Sequence, residues 1–332
     1  DLNYSSNFEN NNQFGLFELM NESSAKISFN NKIKDDWVGL TWAKKLNDKL
    51  SLGISSFVSI YKGNNSYSLN FAEQNPTGGV AFYNDGIAYK QESYGLFFKL
   101  GANYQFSKFE MGFNMSLPYL EVYENGKYNY TKLIAGLDPE QDKYYDYIFK
   151  NLKSNRKVPL GLSIGSGVPL GKSKLHLNLD YIFGLSQYNR LSIPEFDSGN
   201  EELTSFLIEE KRNGVLNFGA GFEIFMTEKF SYFISFSTDF NSVENNSNNR
   251  ELSLGEELNN NFNDNYLHLG LGFDWKLKWG SIVFGTTYTN GSNHFNSTSD
   301  PTMQNNNNQY IDLKYNRWQF IVGFEIHFLN DK

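Results

Sequence analysis

The sequence repeats one pattern: apolar side chains at every second position, in runs of about 9 to 14 residues, where soluble strands usually have about 5 or 6. In the segment 215–241, Phe218 and Phe222 occupy one parity, and Gly219 and Gly221 occupy the other. A period of two indicates β-strands with one apolar face and one polar face. The length of the runs matches the roughly 9 to 11 residues that a tilted strand needs to cross a bilayer core.

Most of these runs form consecutive pairs that are joined by short turns, which predicts five β-hairpins. The paired runs begin at Val38 and Leu50, at Leu96 and Phe109, at Leu160 and Leu175, at Leu216 and Phe230, and at Leu267 and Ile282. The connections between the hairpins are rich in Asn, Asp, Ser and Gly, which predicts long loops near residues 62–92, 124–156, 189–212, 242–264 and 291–309. Short turns therefore lie at one end of the strands and long loops at the other.

The polar parity consists mostly of Gly, Ser and Asn, where a soluble sheet tends to carry Lys and Glu. Small polar side chains suit the crowded, wet interior of a closed barrel, and the apolar parity then faces lipid. A sheet in a membrane must close on itself, because hydrocarbon does not tolerate unpaired backbone edges. Aromatic residues make up 17% of the chain, and many of them lie near the short turns. This position is typical of the aromatic belt at a membrane–water interface.

The composition argues against several other classes of protein. No segment approaches the roughly 18 uninterrupted apolar residues of a membrane-spanning helix. A net charge of −8 and scattered Lys and Arg residues argue against binding of nucleic acid. The absence of cysteine excludes disulfides, thiolate metal sites and thiol nucleophiles.

These observations predict an all-β fold: a transmembrane antiparallel up-and-down β-barrel of about 12 to 14 strands, with short periplasmic turns and long extracellular loops. The count takes 25–31 as the first strand, then the hairpin strands, and 310–328 as the last. Residues 1–20 form a less regular N-terminal segment that could add one or two strands. The chain 1–332 is expected to be a single barrel domain in the outer membrane of a Gram-negative bacterium.

Two stretches, together with the arrangement of strands and turns, resemble a known group of proteins. WVGLTWAKKLNDKLSLGISSFVSIY (37–61) and FKLGANYQFSKFEMGFNMSLP (98–118) look like parts of outer-membrane transport proteins of the long-chain fatty acid transporter (FadL-like) superfamily. This resemblance implies a monomeric barrel, an N-terminal hatch that plugs the lumen, and helical elements in outer loops that capture hydrophobic ligands. The Asn-Pro-Ala element typical of the hatch does not occur in this sequence.

Two segments within the predicted loops have the spacing of short amphipathic helices. The first follows a helix start at Asp138 and Pro139, and its apolar residues are Tyr144, Tyr145, Ile148, Phe149 and Leu152. The apolar residues of the second are Leu203, Phe206 and Leu207. Either these helices form an apolar platform above the barrel mouth that binds a solute or a partner, or each helix only packs on the loops beside it.

Charged residues on the polar parity are the candidates for lining the lumen. They are Lys99, Glu110, Asp180, Glu223, Asp239, Asp274, Lys276 and Glu325. They either line a pore or form internal ion pairs that plug a narrow barrel. The histidines are far apart in sequence, so no metal or other cofactor is predicted. No nucleophile motif supports an enzyme embedded in the barrel, and we predict that the protein is not an enzyme.

The sequence therefore predicts an outer-membrane transport protein or porin for small solutes, including hydrophobic ones. The alternative is a non-catalytic accessory barrel in a larger outer-membrane complex, because the hatch element is missing and the loops are large. The expected partners are outer-membrane lipid, other outer-membrane proteins in such a complex, and a small apolar solute. Nucleic acid is not an expected partner.

Overall fold

The computed structural model describes residues 2–9, 22–137, 140–199, 203–204, 207–242, 265–296 and 310–326. Within these ranges every helix or strand is a β-strand, and no helix is long and apolar enough to cross a membrane. The strands are β1 (Leu2–Glu9), β2 (Glu22–Lys45), β3 (Leu50–Gln74), β4 (Val80–Gln105), β5 (Glu110–Ser116), β6 (Leu120–Ala135), β7 (Lys143–Leu152), β8 (Gly161–Leu170), β9 (Ser173–Ile182), β10 (Leu185–Ser192), β11 (Phe196–Asp197), β12 (Leu203–Thr204), β13 (Leu207–Arg212), β14 (Val215–Thr227), β15 (Phe230–Asp239), β16 (Tyr266–Leu277), β17 (Gly280–Asn296) and β18 (Tyr310–Ile326).

One 14-stranded antiparallel sheet forms the wall of the protein. Its order is β1, β2, β3, β4, β5, β8, β9, β14, β15, β16, β17, β18, and β6 and β7 branch off β4. The five predicted hairpins are all present: β2 pairs with β3, β4 with β5, β8 with β9, β14 with β15, and β16 with β17. The predicted antiparallel all-β fold of 12 to 14 strands is therefore confirmed.

Beyond the barrel, the sheet continues at the end opposite the short turns. Residues 99–105 of β4 pair with β5, and residues 82–96 of the same strand pair with β6. Pro118 lies between β5 and β6 and cannot donate a backbone hydrogen bond, which accounts for the break. We call this part of the sheet the extension; it consists of the far halves of β2, β3 and β4 together with β6 and β7.

The extension shows that two predicted loops are wrong. Residues 62–92 belong to β3 and β4, which pair along their whole length around a turn at 75–79. Residues 124–156 include most of β6 and all of β7. The Asn and Ser content suggested loops, but Tyr67, Leu69 and Phe71 keep the period of two along β3. A strand with a polar outer face therefore resembles a loop in composition alone.

Other boundaries also differ from the sequence prediction. The expected first strand, 25–31, lies inside β2, and β1 forms within the segment 1–20 that was expected to be irregular, where Leu2, Tyr4 and Phe8 occupy alternate positions. The predicted loop 189–212 contains short strands. Of the loops 242–264 and 291–309, only residue 242 and residues 291–296 are described, and the latter continue β17. Residues 327–328 of the predicted last strand lie outside the described residues.

The two faces of the sheet differ as the alternation predicted. Apolar side chains of one parity are exposed all around the sheet: Leu40 of β2 is 82% exposed and Phe320 of β18 is 80% exposed. The opposite parity on β3 carries small polar residues such as Ser55 and Ser59. An exposed apolar belt on long antiparallel strands is the surface that lipid covers in a transmembrane barrel. The apolar face is the outer face.

We expect Ile234→Arg to lower the free energy of unfolding by roughly 2 to 4 kcal/mol, because it places a charge on the lipid face near the bilayer midplane. The control is Gly221→Ser on the inner face of the same hairpin. This substitution should change the free energy of unfolding only slightly, because a Cβ atom at Gly221 would meet its nearest atoms at 3.7 Å or more. Urea unfolding in phospholipid vesicles, followed by tryptophan fluorescence, measures both changes. The opposite ranking would contradict the assignment of the two faces.

Candidate functional site

The described residues of the segment 185–212, between β9 and β14, cover the inner face of the extension, and we call them the cap. Within the cap, β10 pairs with β13 and β11 pairs with β12. Its apolar residues Leu191, Ile193, Phe196 and Ile208 are each no more than 5% exposed. They pack into one cluster with side chains of the extension, namely Tyr67, Ile87, Tyr89, Tyr128 and Tyr130. The cap and the extension therefore share a hydrophobic core.

The first predicted amphipathic helix is a strand, β7, which pairs with β6. Tyr145, Phe149 and Leu152 pack against the cap cluster, and the ring of Phe149 lies 5.5 Å from that of Phe196. Tyr144 and Ile148 are 66% and 54% exposed. The single apolar platform expected from helical spacing therefore does not form.

The second predicted helix is also wrong where the structure describes it. Leu203 belongs to the two-residue strand β12 and is 68% exposed. Phe206 lies outside the described residues, and Leu207 begins β13. Leu203 and Leu207 therefore lie on short strands and do not share a helical face.

A polar cluster around Arg190 ties the cap to the extension. The Arg190 Nε donates to Gln91 Oε1 at 2.7 Å, and its Nη2 donates to the hydroxyl of Tyr61. Its Nη1 lies 3.5 Å from Glu210, another residue of the cap, and the two side chains are 13% and 7% exposed. Tyr188 donates to the Glu210 carboxylate at 2.8 Å. The guanidinium thus contacts both sides of the interface.

The charge of Glu210 is maintained by its neighbours. Burial alone would raise the pKa of the Glu210 carboxyl, but the charges of Arg190 and Arg212 and hydrogen bonds from Tyr188 and Arg212 outweigh it, so the pKa is lowered. Arg212 forms a second ion pair with the same carboxylate. A buried carboxylate with two guanidinium partners stays ionised at neutral pH, which keeps the cluster intact.

Below the cap, four aromatic rings form a cluster on the inner wall. We call them the ring cluster: Trp37, Phe57, Phe97 and Tyr119. The ring centroids of Trp37 and Phe97 are 4.5 Å apart, and those of Phe97 and Tyr119 are 4.8 Å apart. Phe97 is 3% exposed, whereas Trp37 is 42% exposed. The cluster therefore has a packed side and an open side.

Register and two glycines establish that these rings point inward. Phe57 lies opposite Gly39 of β2, and a Cβ atom on Gly39 would be 2.4 Å from Cδ1 of Phe57. A Cβ atom on Gly95 would be 2.5 Å from Cζ of Tyr119. Glycine is required at both positions because the rings lie directly over the backbone. The inner wall is thus shaped to hold the cluster.

Arg156 connects the ring cluster to the polar layer above it. Its Nη2 lies 2.6 Å from the Asp35 carboxylate, and its Nη1 donates to the Ser59 hydroxyl at 3.0 Å. Its guanidinium lies 4.2 Å from the ring centroid of Tyr61 and 4.7 Å from that of Tyr119. Cation–π contacts of this kind attract a guanidinium to the faces of aromatic rings. Arg156 therefore fixes the packed side of the cluster.

Two of the carboxylates predicted for the lumen lie beside a basic residue of another strand. Glu110 of β5 accepts a hydrogen bond from Lys174 of β9. His176 Nε2 of β9 lies 3.6 Å from the Glu223 carboxylate of β14. The contact between Glu110 and Lys174 supports an internal ion pair at that position.

The other predicted lumenal charges do not come together in one site. Asp180 accepts a hydrogen bond from Asn178 at 2.6 Å, and Glu325 accepts one from Ser281 at 3.2 Å. Lys99 lies at the open side of the ring cluster, with its Nζ 5.3 Å from the centroid of Trp37. The remaining charges, on β15 and β16, are Asp239, Asp274 and Lys276. Among the described residues, no three His, Asp or Glu side chains are grouped so that they could hold a metal ion.

Sequence reasoning missed both the ring cluster and Arg190. The ring cluster had a signal: Trp37 and Phe57 occupy the parity of Gly39 and Ser59, where the pattern otherwise places small polar residues. A large ring on that parity faces the interior of a barrel, and this departure from the pattern marks a candidate site. Arg190 had no such signal, because its partners are far away in sequence.

We expect Glu210→Gln to loosen the cap, because it leaves Arg190 buried without its acidic partner. Losing one member of a buried ion pair costs about 3 to 5 kcal/mol. Hydrogen exchange at β10 and β13 should rise, while exchange in β3 should stay unchanged. Glu209→Gln is the control, since Glu209 bonds to Gln187 on the exposed side of the cap. Equal exchange in the two variants would contradict the role of Glu210.

The pH dependence of the cap follows from the lowered pKa of Glu210. A carboxyl whose pKa is lowered by folding stabilises the folded state fully above its unfolded pKa, here about 4.5, and loses that contribution as the pH falls through the folded value. Exchange at β10 should therefore be independent of this group between pH 8 and 6. It should rise only in strong acid, and the rise should be absent in Glu210→Gln.

Comparison with known proteins identifies the fold. The crystal structure of the Ralstonia pickettii toluene transporter TbuX matches with a TM-score of 0.52 and 11% sequence identity, over 93% of this chain and 78% of TbuX. A Pseudomonas aeruginosa FadL homologue matches with a TM-score of 0.49 and 11% sequence identity, over 97% of this chain and 76% of the homologue. The Pseudomonas putida toluene transporter TodX matches with a TM-score of 0.48 and 9% sequence identity, over 92% of this chain and 88% of TodX.

No protein-family model and no curated protein matches this chain in sequence. The TbuX match covers nearly the whole chain, and at this level of identity it shows the fold alone. The belt of outward apolar side chains and the antiparallel order agree with it. The resemblance noted from the sequence is confirmed at the level of the fold, which this chain shares with TbuX.

Proposed function

We propose that this protein sits in the bacterial outer membrane and transports small apolar solutes that contain rings. The observation that carries the proposal is the ring cluster on the inner wall. Aromatic residues on the lipid side of a barrel need no special role, but rings that face the interior remove space and water from it. The name of TbuX, a toluene transporter, supports the same class of solute and a role other than catalysis.

The geometry of the ring cluster suits weak, reversible binding. Trp37 is stacked on Phe97 and remains 42% exposed, so a flat solute can contact the exposed part of its ring. An aromatic pair contributes about 0.5 to 1.5 kcal/mol beyond the burial of apolar area. One such contact captures a solute without retaining it, which suits a transport protein. The Lys99 ammonium lies over the same ring, 5.3 Å from its centroid.

We expect Trp37→Leu to lower the uptake of toluene by intact cells roughly 2- to 10-fold, because it removes one aromatic contact and keeps an apolar side chain. Trp42→Leu is the matched control, since Trp42 lies on the same strand but faces outward and is 61% exposed. Uptake of labelled toluene at equal protein levels is the measurement. Equal uptake by both variants would refute the proposed role of the ring cluster.

The orientation in the membrane follows from the two ends of the sheet. Outer-membrane barrels place short turns in the periplasm, so we place the extension and the cap outside the cell. The chain has no cysteine, which allows single cysteines to be introduced without background. An impermeant maleimide should label Lys150→Cys in β7 on intact cells and spare Lys172→Cys in a short turn. Labelling of Lys172→Cys but not of Lys150→Cys would contradict this orientation.

One observation favours the second function, an accessory barrel in a larger complex. β7 pairs with β6 on one side, and in the described part of the chain no strand pairs with its other edge. Tyr144 and Ile148 are exposed on this strand. An exposed strand edge with apolar side chains can accept a strand from a partner. Loss of a co-purifying protein in a Tyr144→Lys, Ile148→Lys double variant, with toluene uptake unchanged, would favour this function.

A further inference from the structure

We propose that the outer face of the extension binds the phosphate groups of lipopolysaccharide, the phosphorylated glycolipid of the outer leaflet. The surface is what we call the lysine patch: Lys32, Lys34, Lys62, Lys90 and Lys127. The inference rests on the orientation proposed above, which places the extension outside the cell. It adds a lipid-binding site that the transport of apolar solutes does not require.

The register of β2, β3, β4 and β6 places all five lysines on the outer face. Tyr61 and Tyr89 are buried on the inner face, so the residues that follow them, Lys62 and Lys90, point outward. Residues directly opposite each other in antiparallel strands share a face. The other three lysines therefore lie beside these two, with Lys34 opposite Lys62, Lys127 opposite Lys90, and Lys32 two positions from Lys34 on the same strand.

The lysine patch begins just beyond the aromatic edge of the apolar belt. Tyr94 and Tyr123 lie opposite each other with their ring centroids 5.0 Å apart, and they are 36% and 45% exposed. Exposed tyrosines at the edge of an apolar belt are typical of the membrane–water interface.

The lysines form two rows above these tyrosines. Lys62 lies opposite Glu92, two positions beyond Tyr94, and Lys90 lies four positions beyond Tyr94. With a rise of about 3.4 Å per residue and a strand tilt of about 40°, the rows lie about 5 and 10 Å above the tyrosines along the membrane normal. The headgroup region is roughly 5 to 7 Å thick on each side of a bilayer. The lower row therefore lies among headgroups, and the upper row lies at their outer surface.

The protein neutralises only the lower row. The Lys34 Nζ lies 2.7 Å from the Asp36 carboxylate. The Lys62 Nζ lies 3.8 Å from the Glu92 carboxylate. No ion pair between described residues includes a lysine of the upper row, namely Lys32, Lys90 and Lys127. The upper row thus carries uncompensated positive charge.

Two lysines of the upper row lie directly opposite each other. Lys90 of β4 and Lys127 of β6 are cross-strand partners, a position in which Cβ atoms are about 4.5 to 5.5 Å apart. Like charges in this position destabilise a sheet, and an anion bound between them relieves the repulsion. Lipopolysaccharide carries phosphates above acyl chains. Its phosphates would contact the lysines while its acyl chains lie against the apolar belt below.

Binding of lipid A, the phosphorylated acylated part of lipopolysaccharide, to the purified protein in detergent micelles tests the proposal. We expect a Lys90→Gln, Lys127→Gln double variant to bind diphosphoryl lipid A roughly 25-fold more weakly than the intact protein, because each lysine at an anionic lipid surface contributes about a fivefold factor. Native mass spectrometry measures the bound fraction. The control is Lys229→Gln, Lys278→Gln, which removes the same charge from two short turns. Equal affinities of the two double variants would overturn the proposal.

A comparison of lipids tests which headgroup the patch binds. The intact protein should bind diphosphoryl lipid A at least tenfold more tightly than phosphatidylglycerol, which carries one phosphate. Equal affinity for the two lipids would overturn the assignment to lipopolysaccharide.

The stability of the double variant tests the repulsion between Lys90 and Lys127. In micelles without lipid A, the variant should unfold at a temperature no lower than that of the intact protein, because the two like charges are gone. A lower unfolding temperature would contradict the repulsion. Binding in micelles does not depend on orientation in the membrane, and uptake of toluene by the double variant should equal that of the intact protein. A failure of lipid binding is therefore distinct from a failure of the proposed transport.

Discussion

Backbone hydrogen bonding in a medium without water determines the form of this protein. Strands that cross hydrocarbon must pair every amide and carbonyl with a neighbour. β2, β3 and β4 do so residue by residue over their full length, from the short turns to the far end of the extension. The same ladder places alternate side chains in two different environments, lipid outside and a polar interior inside. The ring cluster, the cap and the polar wall all depend on this separation.

The interior has two levels with different chemistry. In the extension, tyrosines of the inner face pack against leucine, isoleucine and phenylalanine of the cap and are almost completely buried. Lower down, glycine, serine and asparagine leave the interior open. The ring cluster and Arg156 lie between the two levels, where apolar surface ends and hydrogen-bonding groups begin. A solute that contains a ring would therefore meet aromatic side chains at the boundary between the two levels.

The hairpins and the outward apolar face could be predicted because both follow from a local pattern. The helix over 144–152 was wrong because Tyr145 and Phe149 are four residues apart, a spacing that fits both a helix and one face of a strand. Pairing with β6 decides between them, and it joins residues that lie 9 to 26 positions apart in the sequence, such as Thr131 and Asp146. The cap core could not be predicted at all, since Arg190 meets Gln91 and Tyr61 across 99 and 129 positions.

Those separations in sequence also order the folding of the chain. Contacts between distant residues form after the intervening chain has been organised, because closing a long loop costs entropy that local contacts do not repay. Arg190 finds Tyr61 and Gln91 in position only once β3 and β4 have paired. Seating of the cap is then the last step of folding at this end of the molecule. During assembly in the membrane, the tyrosines of the extension face water until the cap arrives.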